Sequence, residues 1–150
     1  MKKIIFLCFL IGIIGITGCG TNKNEFYVGE KSNIEFIEKG VSLSIKEGTL
    51  TKTGATLVLK NDSEVNVQYG NPYEIEIKEG GEWHKINVEL NFTLPAFSLK
   101  AKEAKEIEIK WENGYGKLAS GKYRIIKGID VPKEDETFDT FYVSAEFTIE

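Results

Sequence analysis

From Gly40 to the C-terminus, apolar and polar residues alternate with a period of two. Val41, Leu43 and Ile45 alternate with Ser42, Ser44 and Lys46, and Ala55, Leu57 and Leu59 with Thr56, Val58 and Lys60. Tyr73, Ile75 and Ile77 alternate with Glu74, Glu76 and Lys78, and Ile107, Ile109 and Trp111 with Glu106, Glu108 and Lys110. Phe141, Val143, Ala145, Phe147 and Ile149 do the same against Tyr142, Ser144, Glu146 and Thr148. Successive strand side chains point to opposite faces, so each run predicts a strand with one face in a core and one in water. No window sustains the apolar spacing of three and four that a helix needs, and residues 100–106, the most helix-like in composition, carry no apolar stripe.

Turn residues fall between these runs. Asn61-Asp62-Ser63 closes the second, and Glu79-Gly80-Gly81-Glu82 joins residues 73–78 to residues 83–88 as a tight hairpin. Asn113-Gly114 follows Trp111, and Ser120-Gly121 precedes a further strand over residues 122–127. The pattern predicts about seven strands in about 110 residues, an all-β, antiparallel β-sandwich, with a small barrel as the structural alternative. A chain of that size supports one core, with an expected net stability of about 5–10 kcal/mol.

The N-terminus is different in kind. Lys2 and Lys3 precede a 13-residue apolar run, Ile4 to Ile16, interrupted by Cys8. That is shorter than the roughly 20 residues a membrane span needs, and it fits a secretory leader. The run ends in Ile16-Thr17-Gly18-Cys19, which resembles the lipobox of bacterial lipoproteins. The resemblance implies cleavage after Gly18, a diacylglyceryl group (with palmitate-type acyl chains) on Cys19, and a protein held on the extracytoplasmic face of the cell membrane. Residues 1–18 are then the signal peptide, 19–39 a tether and 40–150 the domain. The tether is polar at Gly20 to Asn24, but Phe26, Tyr27, Ile34, Phe36 and Ile37 give its second part enough apolar surface to add an edge strand, a point the pattern leaves open.

Cysteine and charge narrow the rest. The lipobox resemblance implies that Cys8 leaves with the leader and Cys19 is alkylated, so that the mature domain would hold neither a free thiol nor a disulfide. Without Lys2 and Lys3 the chain has 17 basic and 23 acidic residues, a net charge of −6. That argues against a nucleic-acid partner and against a domain lying flat on anionic lipid.

Leu118-Ala119-Ser120-Gly121-Lys122-Tyr123 resembles the tyrosine corner of immunoglobulin-like sandwiches, in which the phenol bonds back to the preceding crossover. From about Gly40 to Ile149 the chain resembles the bacterial immunoglobulin-like domain of secreted and lipid-anchored Gram-positive proteins. The matching stretches are Gly40-Val41-Ser42-Leu43, Thr53-Gly54-Ala55-Thr56-Leu57 leading to Asn61-Asp62-Ser63, Gly81-Glu82-Trp83, Tyr115-Gly116-Lys117-Leu118 and Gly121-Lys122-Tyr123-Arg124. The resemblance implies an immunoglobulin-like β-sandwich without established catalytic residues. Where members often have Pro and Gly, this chain has Lys100-Ala101-Lys102-Glu103 and Ser120, which predicts looser turns there. A more distant likeness, to sandwich-fold proteinase inhibitors of bacilli, implies action by presented loops.

Candidate chemistry is sparse. His84 is the only histidine, and no cysteine is at hand for a zinc site or a nucleophile–base pair. Asp130, Glu134, Asp135, Glu136 and Asp139 cluster before the last strand without calcium-loop spacing, and read as a solvated loop. No cofactor or metal is expected. Trp83, Tyr69, Tyr73, Phe92, Phe97 and Tyr115 lie in or beside loops, and Phe92, Phe97 and Tyr115 are the candidate partner-binding positions. The expected function is a lipid-anchored binding or adhesion module with an unknown protein or cell-wall partner. A proteinase inhibitor and a structural accessory of a membrane sensor or transporter are the alternatives.

Overall fold

The computed structural model describes residues 27–150, so the leader and the Cys19 site lie outside the described residues. The fold is an antiparallel β-sandwich. Sheet B has three strands in the order β2 (Val41–Ile45), β3 (Gly54–Asn61) and β8 (Ala104–Lys110). Sheet A contains β1 (Tyr27–Lys31), β4 (Val67–Tyr69), β5 (Glu74–Glu79), β6 (Glu82–Asn87), β7 (Phe97–Leu99), β9 (Gly121–Pro132) and β10 (Phe138–Ile149). One helical turn, α1 (Glu112–Tyr115), links β8 to β9. The hairpin glycines behave as the turn requires, with φ of +58° at Gly80 and +86° at Gly81.

Strand β9 organises sheet A. All of one edge pairs with β10, from Gly121 opposite Ile149 to Pro132 opposite Phe138. Its other edge is shared by β5, where Ile77 faces Tyr123 and Glu74 faces Ile126, and β4, where Tyr69 faces Ile129. The chain leaves the ladder between them, over residues 70–73, which strands backbone carbonyls in a dry place. Lys127 meets them: its Nζ donates to Gly70 O at 2.8 Å and Pro72 O at 3.1 Å. The side chain is buried, and burial pushes the ammonium down to about 8.

This depression has a signed consequence. Between about pH 8 and the ordinary lysine value of 10.5, the unfolded chain holds a proton that the folded chain has lost. Stability attributable to Lys127 therefore rises with pH across that window, and the cost of burying the charge is fully present below it. A gain on the order of 2 kcal/mol from pH 8 to 10 is expected from the one-unit equivalence of about 1.4 kcal/mol. Urea midpoints of the wild type and Lys127→Met, followed over that range, check it: the difference between them must change with pH in that direction.

Between the sheets, Leu57 and Leu59 of β3 pack towards Ile125 and Ile129 of β9, all fully buried. Trp111, at the end of β8, stacks on Phe147 of β10 (centroids 5.5 Å apart), and Phe147 stacks on Tyr123 of β9 (5.6 Å). The Tyr123 hydroxyl donates to Ala119 O at 2.9 Å, four residues back across the crossover into β9.

Two expectations need correction, and one open point is answered. The tether of residues 19–39 does not run free to Lys39. Its second part forms β1, which adds to sheet A beside β6, with Tyr27 opposite Asn87 and Val28 opposite Ile86. Residues 32–39 then cross the outer face of sheet A to reach β2, with Phe36 resting on Arg124. The turn at residues 100–103 is held rather than loose. Lys102 takes the left-handed φ of +62° that glycine would adopt freely, while Glu103 accepts from Lys100 N and Asn66 accepts from Ala101 N. The acidic cluster is only partly a loop, because Asp130 lies on β9, where it accepts from Thr140 at 2.6 Å, and Asp139 lies on β10, where it pairs with Lys133 at 2.6 Å.

Candidate functional site

The outer face of sheet A carries two neighbouring features, one closed and one open. The closed feature is an ion pair. Arg124 Nε and Nη2 reach the same oxygen of Glu76, Oε2, at 2.7 and 2.6 Å. Glu76 is fully buried and Arg124 nearly so. Such burial on an outer face needs a cover. Phe36 and Trp83 supply it, each with its ring under 5 Å from the guanidinium (4.8 and 4.7 Å), and Ser32 Oγ accepts from Arg124 at 3.1 Å. The pair is thus sealed by the crossing segment and belongs to the architecture.

The open feature is a cleft of about 690 Å³ beside it. Ile126 and Gly128 of β9 lie on its floor, Thr140 and Tyr142 of β10 on one side, and residues 88–96 wall the other side after β6 ends. Gly128 matters here because it leaves the strand without a side chain opposite Tyr142. Tyr73, Phe92 and Tyr115 supply aromatic surface, with Tyr73 edge-on to Phe92 at 5.1 Å and 6.1 Å from Tyr115. Polar groups share the lining with them. They include Lys85, paired with Glu30 at 3.1 Å, which holds its ammonium above the usual lysine value, and Asp130, bonded to Thr140. Aromatic walls with a few oriented polar groups suit recognition of a ligand by contact and hydrogen bonding. Among the described residues no group of three His, Cys, Asp or Glu side chains is placed to hold a metal ion.

The three candidate partner-binding residues separate here. Phe92 is half-buried in the cleft wall. Phe97, on β7 and 39% exposed, packs its ring on Tyr69 at 5.4 Å and lies outside the cleft. Tyr115 is a correction. It is not presented by a loop but buried beneath one, because α1 turns its ring inward, and its hydroxyl accepts from Ile75 N at 2.9 Å at the start of β5. Burial raises its phenol well above the ordinary tyrosine value, so the ring is a neutral part of the cleft floor. Tyr69, expected beside a loop, is a buried residue of β4. His84 sits half-buried on β6, with Nδ1 3.3 Å from Gly29 O of β1. Sequence reasoning missed Tyr142 and Lys85, which look like ordinary wet-face residues until the 88–96 crossing is placed beside them.

The family follows from the greater part of the chain. The model of the bacterial Ig-like domain matches residues 37–148, three quarters of the sequence. The chain belongs to the bacterial Ig-like domain family. The match covers both sheets except β1, so β1 and nearly all of the segment that seals Arg124 precede the matched Ig-like region. No curated protein matches. Among solved structures, the Ig-like chain is similar to the ASH/PapD-like domain of human CEP192 (PapD-like domain 7) at 12% identity and a TM-score of 0.33, over 81% of this chain and 99% of that one.

Proposed function

We propose that this protein is a non-catalytic, extracytoplasmic Ig-like binding module, tethered to the cell membrane by a lipid on Cys19, and that the cleft beside residues 88–96 takes its ligand. The observation that carries the reading is the cleft itself: about 690 Å³ with aromatic walls, on an Ig-like sandwich. The anchor rests on Ile16-Thr17-Gly18-Cys19 at the end of the apolar leader. A proteinase inhibitor is less favoured, since Tyr115, one of the residues on which loop presentation depended, is buried.

The test is made in cells with a photo-crosslinking phenylalanine in place of Tyr142, in the cleft, or Phe138, exposed on the same strand and outside it. An adduct with an envelope component is expected from position 142 and not from 138. In the Cys19→Ala background the protein is expected in the medium or as an unprocessed precursor, with the adduct lost. No adduct from 142, or equal adducts from both positions, removes the cleft from the proposal. Unchanged migration and membrane association of Cys19→Ala remove the anchor.

A further inference from the structure

Charge is unevenly placed on this chain. Its two longest charge-free runs within the described residues are 65–73 and 90–99. The fold brings them together. β4 pairs with β7, with Tyr69 opposite Phe97; Asn71 donates to Thr93 Oγ1 at 2.9 Å; and Tyr73 meets Phe92. The joined surface exposes Pro72, Pro95, Ala96 and Phe97, and at its tip Leu94, which is 88% exposed. A largely exposed leucine near a partly exposed phenylalanine, on an otherwise heavily charged protein, marks a contact surface.

The chain itself indicates what covers it. Tyr27 stands opposite Asn87, one residue before the 88–96 crossing begins. Residue 19 lies eight residues before Tyr27, and a chain extends by at most about 3.3–3.6 Å per residue, so β1 starts no more than about 30 Å from the residue that would carry the lipid. The acyl chains therefore hold the charge-free surface close to the bilayer at high local concentration. The mature chain's net charge of −6 disfavours an anionic surface for the domain as a whole, whereas residues 90–97 bring no charge of their own into an interface.

We infer that residues 90–97 form a membrane-docking loop that seats Leu94 in the interface of the bilayer holding the anchor, so that the cleft opens beside the membrane surface. The inference rests on the lipid-anchor reading. Its occupant is a lipid surface, in keeping with an apolar tip and the closeness of the anchored segment.

The test uses the processed, lipidated full chain in phosphatidylcholine–phosphatidylglycerol vesicles. A single environment-sensitive nitrobenzoxadiazole label is placed through Leu94→Cys or, at the far end of β5, through Glu79→Cys. At position 94 the emission is expected to shift to the blue with at least a two-fold rise in intensity, and to be quenched by nitroxide-labelled lipid. At position 79 neither change is expected. If the protein floats with the vesicles but both labels behave alike, the docking loop is overturned while the anchor stands. If the protein does not float, anchor and loop both fall. A shift at position 94 that appears without vesicles and grows with protein concentration assigns the surface to a second copy of the chain, and overturns the proposal.

Discussion

Arg124→Ala is expected to lower the unfolding free energy by about 3–5 kcal/mol, the range for breaking one side of a buried ion pair. Glu76 is fully buried on the central part of sheet A, and its Oε2 takes both of the Arg124 contacts. Its other oxygen, Oε1, is buried with no hydrogen-bond partner among the described residues. Removal of the guanidinium thus leaves a carboxylate with nothing to offset its dehydration. It also empties the space between Phe36 and Trp83, so the crossing segment loses what it rests on. A companion variant separates the two causes. Glu76→Leu with Arg124→Met keeps apolar bulk between the rings and removes both charges, and such replacements of buried pairs are often neutral. The double variant should recover most of the lost stability. Urea denaturation of both variants decides the matter, and a loss under 1 kcal/mol for Arg124→Ala would mean that water reaches Glu76.

The same residue shows where sequence reading stops. On a strand with one wet face, Arg124 and Ile126 should alternate in character with Tyr123 and Ile125. Arg124 does and Ile126 does not, yet all four are buried, because β9 is covered by sheet B on one face and by residues 32–39 and the cleft wall on the other. Alternation was legible wherever a strand kept a wet face, as in β2, β3 and β8, and in β5 even though its Glu76 is buried. It was weak in β1, a five-residue edge strand whose register shifts between Val28 and Lys31, and in the three-residue β4 and β7. Lys127 was unreadable for a related reason. Its partners are carbonyls at a gap in the strand ladder, 55 and 57 residues away, and nothing local announces that a lysine will be buried to meet them.

For the proposed cleft, composition pointed to a stretch that lines it but not to how each aromatic is turned. The aromatic, uncharged segment 91–97 does form a cleft wall, and Phe92 lies in it. Whether a loop aromatic faces water or the core depends on the turn that carries it. The single turn of α1, closed by Gly116 at φ +67°, sends Tyr115 inward to the β5 backbone. Tyr123 could be placed because its partner, Ala119 O, is four residues away and its motif is local.

Trp111→Ala is the second large effect, with an expected loss of about 3–5 kcal/mol, as for other buried tryptophan truncations. Trp111 is fully buried, and three separate attachments converge on it. Its ring stacks on Phe147 across the sandwich, its Nε1 donates to Lys52 O at 2.9 Å, and its backbone N donates to Thr53 O at 3.0 Å. The side chain therefore joins β8 of sheet B to β10 of sheet A and fixes the turn that enters β3. Alanine removes the ring and the indole donor and opens a cavity between the sheets, next to the Phe147–Tyr123 stack. Trp111→Phe retains an aromatic ring for Phe147 but loses the hydrogen bond to Lys52 O and part of the indole's volume, so it should cost about 2–3 kcal/mol. For a domain whose whole stability is expected to be about 5–10 kcal/mol, the alanine variant approaches the limit of folding at 37 °C. Chemical denaturation of the two variants side by side measures the partition. If phenylalanine cost as much as alanine, the indole donor rather than the ring stack would be what Trp111 contributes to holding the sheets together.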